Sequence, residues 1–433
     1  MRNDNRRLAS GWTSAVSIGA PGQNEAPDVA ILLHGGEVLG DTKGYVAAGA
    51  VVATLGLGGC VGDIGGGGSE APPGEVAAGL CGADVPFVRR LTLDEYVATV
   101  DAVLDVDIDA AARGALPADL RADGFSNTAN ALIVTLDHVE AYASLAEAIA
   151  GAVDLEAIGA NFGACSSLED ACAEGLVVDL ATALFRHPPS DEEVAALLPL
   201  FDDVRTEGDD FSVAVGLVLE TLLQSPRFLY RIERERGEGV VALDGRELAS
   251  RLSYLVWGAP PDVKLVAAGA SLRDDATLAS EIDRMLDDPR ARATAARFLV
   301  DWLDLHRLDN LQRDPDLFPD WDPALGVDMK AETVAFFLHL ALDDDRPLSS
   351  LFDAQLTFVT PELAAHYGFD PPDDDGRVSL SALPERGGLL TQGAVTTLGG
   401  NTSSMVGRGL YVLENLLCGH LDDPPRAWTP PRP

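Results

Sequence analysis

The side chains able to do chemistry are thinly spread along this 433-residue sequence. Its seven histidines, His34, His138, His187, His306, His339, His366 and His420, are scattered and form no recognisable set. His138, near the start of a helix, is expected to be solvated rather than a ligand. Neither G-x-S-x-G nor H-E-x-x-H occurs, so the familiar hydrolase and zinc-protease signatures are missing. Asp373, Asp375 and Gly376 invite a calcium loop, but its first and twelfth positions fall on Pro371 and Ala382. Calcium needs oxygen donors at both places, so the stretch reads as a solvated acidic turn. Gly399-Gly400-Asn401-Thr402-Ser403-Ser404 precedes a helix, where backbone N–H groups can hold an anion. It lacks the P-loop spacing and no Lys follows, so a capped surface loop is expected.

Cysteine carries the clearest signal. Tyr45 to Gly59 is an apolar run, too short to cross a membrane and of the size of a signal-peptide core. It ends in Leu57-Gly58-Gly59-Cys60, similar to the lipobox whose cysteine bears the lipid in bacterial lipoproteins. Val61 rather than Asp follows, so the inner-membrane retention signal known for some bacteria is absent. Gly62 to Gly74 is a flexible Gly-, Ser- and Pro-rich tether. This order makes Cys60 the expected lipidation site. It gives the protein an exported address, lipid-anchored at the outer membrane or cell surface. Lys43 is all that remains of a positive n-region, and the leader is long unless translation starts near residue 38. The competing reading is a buried Ala/Gly helix with a chance cysteine.

Four further cysteines remain, Cys81, Cys165, Cys172 and Cys418. In an exported protein an even remainder points to disulfides. Cys165 and Cys172 bracket Ser-Ser-Leu-Glu-Asp-Ala and are expected to pair, the alternative being two reduced core thiols. Cys81 and Cys418 are left over, and their pairing stays open. No C-x-x-C occurs, so a zinc ribbon is not encoded and no metal site is expected.

The net charge of −38 argues against nucleic acid, because phosphate would be repelled. Lysine appears three times, at Lys43, Lys264 and Lys330, among 31 basic residues. A GC-rich coding sequence and adaptation to salt both yield such a balance.

Periodicity predicts a mainly α chain: a multi-helical body of several small helical domains with at most short β strands. Capping boxes open helices at Thr92/Glu95 and Ser190/Glu193, and Asp288-Pro289 is a cap followed by Pro at the first helical position. Val139, Tyr142, Ala146, Ile149 and Val153 mark the apolar face expected of a helix over about 137–153. Other helices are expected near 93–104, 173–185, 211–223, 244–257, 276–286, 289–308 and 324–342, with strands near 356–359 and 377–380. A final helix over 406–417 should dock through Val406, Leu410, Leu413 and Leu417, followed by an extended Pro-rich tail from about Asp422. The expected organisation is a leader and signal peptide over 1–59 and a tether over 60–85. Helical domains follow over 86–160, 161–236 (with the cysteine loop) and 240–371, then a loop-helix segment and tail over 384–433.

Short motifs then supply a resemblance. Arg89–Tyr96 with Gly124–Asn127, Ala183–Glu193 with Gln224–Arg231, Leu248–Asp262 with Thr357–Gly368, and Arg386–Gln392 with Asn401–Ser403 and Arg408–Leu417 occur in this order. They resemble the planctomycete and myxobacterial series of domains of unknown function numbered fifteen-eighty-seven, fifteen-ninety-five, fifteen-ninety-two and fifteen-eighty-eight. The resemblance implies large exported proteins often joined to cytochrome c modules, with a c-type cytochrome or another exported protein as partner. The chain carries no Cys-x-x-Cys-His, so covalent haem is not expected on it, and Pro433 reads as a truncation point inside the family's Pro-rich linker. The family's biochemistry is undetermined. The leading reading is therefore a scaffold or binding component of an exported redox or degradation system. The alternative is an exported hydrolase or oxidoreductase whose site assembles in space from polar residues of the motifs: Arg251, His366, Gln392, Asn401 and Arg408.

Overall fold

The computed structural model describes residues 30–32, 38–41, 88–417 and 419, apart from 123, 163–164, 166–168, 234–241 and 399–404. Cys60, Cys81, Asn401, Cys418 and the Pro-rich tail lie outside the described residues. Within them the chain is mainly α, as its periodicity implies. A short antiparallel pair, β1 (Ala30–Leu32) and β2 (Val38–Asp41), precedes the body in sequence.

The body begins with β3 (Val88–Arg90), α1 (Leu93–Leu104), α2 (Asp109–Ala115), α3 (Leu136–Ala152) and α4 (Leu155–Asn161). Next come α5 (Ala173–Phe185), α6 (Asp191–Glu207), α7 (Phe211–Gln224), α8 (Pro226–Leu229) and β4 (Tyr230–Ile232). α9 (Gly245–Val256), α10 (Val263–Ala268), α11 (Asp275–Leu286), α12 (Pro289–Trp302) and α13 (Pro323–Leu338) follow. The chain then runs through β5 (Leu356–Phe358), α14 (Pro361–Tyr367), β6 (Arg377–Ser379), α15 (Gly393–Leu398) and α16 (Met405–Asn415).

Local chemistry sets many of these boundaries. Thr92 and Glu95 close a reciprocal capping box on α1, as do Ser190 and Glu193 on α6 and Asp244 and Glu247 on α9. Each box satisfies backbone donors that the helix itself leaves orphaned. Pro289 occupies the first turn of α12 behind the cap of Asp288. That helix is shorter than its periodicity suggests. Asp304 takes a left-handed conformation and the chain tightens into a 3-10 turn over Leu305–Asn310. α13 likewise passes into a π turn at His339–Asp343.

Burial corrects two expectations. On α3 the buried face uses His138, Ala141, Tyr142, Leu145, Ala146 and Ile149, while Val139 is about half exposed. His138 is buried, not solvated, and its Nδ1 sits 2.9 Å from the Thr135 hydroxyl at the helix start. Tyr142, Ala146, Ile149 and Val153 of the expected face are buried, and His138, Ala141 and Leu145 widen that face in place of Val139, where α7 and α2 lean on this helix. At the last helix, Val406 on α16 and Leu417 just past its end are exposed, and Tyr411 is the buried anchor. Its hydroxyl donates to the Leu303 carbonyl at 2.7 Å, and the Trp302 indole donates to the Asn415 carbonyl at 2.7 Å.

Three apolar cores result. The first gathers α1 to α8 and takes in Tyr254 from α9, so the segments before and after the cysteine loop share it. The second runs from α12 to α16, and a smaller one around Trp257 lies between them. Cys165 and Cys172 are joined at the edge of the first core with Cα atoms 5.3 Å apart, well within reach of a disulfide.

Candidate functional site

Two places concentrate polar side chains: a buried junction between segments far apart in sequence, and a cavity in the carboxyl-terminal core. The junction is built on β3 and β4, which pair antiparallel with Arg89 opposite Arg231 and Arg90 opposite Tyr230. The Arg89 guanidinium grips the Glu95 carboxylate with both arms, at 2.8 and 2.6 Å. Burial raises the Glu95 pKa, but the charge and hydrogen bonds of Arg89, then the charge of Arg231, hold it below the ordinary carboxylate value. Arg90 reaches Asp119 at 2.5 Å and donates to the Tyr142 hydroxyl at 2.9 Å. Burial, with Arg89 alongside, pushes Arg231 down to about 10, which leaves it charged at neutral pH.

Arg186 takes a left-handed backbone at the end of α5 and turns its side chain inward. One nitrogen, Nη2, faces the carbonyls of Arg227, Phe228 and Tyr230 at 2.8 to 2.9 Å, where α8 gives way to β4. The other, Nη1, donates to the Tyr254 hydroxyl at 3.2 Å. That hydroxyl also lies 2.8 Å from Thr99 Oγ1 on α1, and Arg231 stacks 4.7 Å over the Tyr254 ring. The outer contacts follow the same rule. Asp301 on α12 accepts from the Ser126 amide and hydroxyl at 3.1 and 2.7 Å and pairs with Arg121. His187 Nε2 sits 3.3 Å from Asp244 Oδ2 at the cap of α9.

The cavity, which opens to solvent, has a volume of about 330 Å³. Leu317, Phe318, Pro319 and Trp321 form one wall, Met329 and Thr397 another, with Arg313, Asp320 and His366 also lining it. Arg313 is held by stacking on Phe318 at 5.1 Å and Trp321 at 5.8 Å, and by donating to the Thr397 carbonyl at 2.5 Å. Burial lowers its pKa. The Trp321 indole N–H is buried without a hydrogen-bond partner among the described residues.

Behind Met329 lies a buried carboxyl. Glu332 accepts from the Thr357 hydroxyl at 2.6 Å and the Tyr367 hydroxyl at 2.7 Å, and Tyr367 in turn accepts from the Gly393 amide at 3.1 Å. Burial raises the Glu332 pKa despite those bonds, and burial, then the Glu332 charge, pushes Tyr367 up. Gly393 is obligatory: a Cβ there would collide with the Tyr367 hydroxyl and with Met329. Gln392, beside it, is buried with both side-chain polar atoms unpartnered among the described residues.

The polar residues expected to assemble into one site do not all come together. Arg251 is held in a two-armed ion pair with Glu233 beside β4, at 2.8 and 2.5 Å. His366 lines the cavity, and Gln392 lies behind it next to Gly393. Arg408 is exposed on α16, and Asn401 lies outside the described residues. Among the described residues no group of three or more His, Cys, Asp or Glu could hold a metal ion.

Three family models match the chain, each described as a protein of unknown function: DUF1587 over residues 89–154, DUF1595 over 172–233 and DUF1592 over 243–369. Together they take in more than half of it. The chain belongs to this series of domains of unknown function. No curated protein and no solved structure matches it.

The three domains of the series meet at the junction. Thr99 comes from the first, Arg186 and Arg231 from the second and Tyr254 from the third. The Gly124–Asn127 motif of the first docks through Ser126 on Asp301 of the third. Much of what marks these domains in sequence is therefore spent on holding them to one another. Sequence reasoning missed Arg186, Tyr254, Glu332 and Arg313. Only the positions of the first two inside the quoted motifs offered a signal, and neither residue has a neighbour in sequence that reveals its partner.

Proposed function

We propose that this protein is an exported, lipid-anchored component of the cell surface that acts by binding and holding partners rather than by catalysis. The observation that carries this reading is the junction. Arg186, Arg231 and Tyr254, drawn from the family motifs, are packed against one another across domain boundaries, where they stiffen the body. The Leu57–Cys60 motif, the apolar run before it and the tether after it support anchoring at Cys60. No described helix is long and apolar enough to cross a membrane. Two acyl chains bury enough CH₂ groups for stable anchoring where one does not. A c-type cytochrome or another exported protein of a redox or degradation system fits as the partner, as the motif resemblance implies.

The test is labelled-palmitate incorporation in the native host. Label on the wild type, lost in Cys60→Ala with release of the protein from the membrane fraction, supports the anchor. Unlabelled protein, or an intact peptide spanning Gly59-Cys60 in the mature form, sinks it. A second reading, an exported hydrolase or oxidoreductase, draws on the cavity, where His366 and Asp320 share a lining with Arg313. Turnover of a hydrolase or redox substrate that disappears in His366→Ala would favour it over the binding role.

A further inference from the structure

We propose that the outer face of α3 and α7 is a docking surface for a basic amphipathic helix of a partner protein. The proposal rests on the binding role argued above, not on the lipid anchor. It starts from where the large exposed apolar side chains fall. Scattered singly, such residues need no explanation, but a cluster rimmed by polar groups marks an interaction site. Ile133, Val134, Leu136 and Val139 cluster at the start of α3, with Ile133 55% and Leu136 63% exposed. From there Leu136, Glu140, Ala143 and Glu147 recur at steps of three and four and continue one outward stripe along the helix.

α7 packs along α3 in the opposite direction and supplies the rest of the face. The Tyr96 ring lies 5.3 Å from Tyr142 of α3 and 5.5 Å from Phe228, just past the end of α7. Further along α3, the charge of Glu147 reaches Glu220 of α7. Val213, Leu217 and Glu220 form the outward stripe of α7, with Val213 and Leu217 exposed, and the two stripes meet at Glu147 and Glu220. The face is thus long and narrow, roughly 25–30 Å from Leu136 to Val213, which matches a helix of about 17–20 residues. Its charges decide the partner. Neither α3 nor α7 contains a Lys or Arg. Asp137, Glu140 and Glu147 form no ion pair among the described residues. Burial, then the Glu147 charge, raises the Glu220 pKa, and a partner's cation at the seam would relieve that repulsion. A second copy of this chain, with its net charge of −38, and an anionic lipid surface are both disfavoured here. A helix with an apolar stripe flanked by Lys or Arg answers the apolar and the acidic residues together.

Fluorescence anisotropy of the full chain with a labelled Leu/Lys peptide tests this, the peptide being patterned as an amphipathic helix of about 18 residues. It should bind about tenfold or more tighter than a scrambled peptide of the same composition, because only the periodic one presents an apolar stripe. Leu136→Ser with Val139→Ser should weaken it about tenfold at an unchanged melting temperature, since both side chains are exposed. Glu140→Lys with Glu147→Lys should weaken it at least as much. Asp373→Lys with Asp374→Lys, the same change of charge in the exposed turn before β6, should leave it unaltered. Equal binding of the scrambled peptide overturns the proposal, and so does an equal loss in the two charge-swapped proteins or no loss in the serine pair. A dimer in sedimentation that the serine pair dissolves would give the face to a second copy, and anionic vesicles bound through it would give it to a membrane. Either result overturns the basic helix. Palmitate label at Cys60 with no peptide binding would sink this surface and leave the anchored binding role standing.

Discussion

The Tyr254 hydroxyl lies 2.8 Å from Thr99 Oγ1, a residue 155 positions earlier, and it also accepts from Arg186. One phenol thus ties together the three matched domains. Tyr254→Phe removes only the oxygen and leaves the Arg186 donor and the Thr99 hydroxyl short of a partner. It should lower stability by about 1–3 kcal/mol. Tyr254→Ala also removes the ring beneath Arg231 and should cost about 3–5 kcal/mol. Urea unfolding midpoints report both. A Tyr254→Phe midpoint equal to wild type would mean that packing alone holds the junction.

Glu95 makes the fold acid-sensitive. Its folded pKa is depressed, so its contribution is present above the ordinary value of 4.5 and is lost as pH falls below it through the folded pKa. Glu95→Gln leaves the buried Arg89 without its counter-charge and should cost about 3–5 kcal/mol at pH 7. The variant should also show a shallower loss of stability between pH 5 and pH 3 than wild type. Parallel acid limbs for the two proteins would contradict the assignment.

Glu332 has the opposite sign. Its folded pKa is raised, so stability is complete below the ordinary value of 4.5 and declines as pH rises through the folded pKa. Glu332→Gln keeps the shape but exchanges one acceptor for a donor facing Thr357 or Tyr367. It should cost about 1 kcal/mol at pH 4 and less at pH 8, where the wild type carries the strain of a buried charge. Melting temperatures across that range settle it, and a penalty that grows with pH would refute the sign.

The Cys165–Cys172 bond closes a loop of 7 residues of sequence separation. Reduction, or Cys165→Ser with Cys172→Ser, should lower stability by about 2–3 kcal/mol through the freedom restored to the unfolded chain. Thiol titration of the native protein is the companion measurement. Two reactive thiols at these positions in protein isolated from its native compartment would show that the bond is not formed there.

How much of this was legible beforehand differs by element. Thr92 with Glu95, Ser190 with Glu193 and Asp288 with Pro289 announce their helices because a cap is a contact across three residues or fewer. The mainly α class follows from the same short-range periodicity. His138 shows where that signal stops. Tyr142, Ala146, Ile149 and Val153 mark the buried face of α3 in sequence, but only the packing of α2 and α7 decides that His138 goes inside at its start while Val139 stays half exposed. Tyr411 anchors α16 in the same way, since its partner, the Leu303 carbonyl, is 108 residues distant.

The sequence by itself determined the helices, their caps, the motif order that marks the family and the cysteine spacing. Those features depend on residues a few positions apart, where side-chain type and backbone period are coupled directly. Tertiary structure alone decided that Arg89 faces Arg231 across a strand pair and that Arg186 and Thr99 share the hydroxyl of Tyr254. It alone placed His366 with Arg313 and Trp321 around one cavity. The physical reason is burial. A lone arginine, tyrosine or glutamate in a sequence is most cheaply solvated, and only the packed core supplies the partner that makes its burial tolerable.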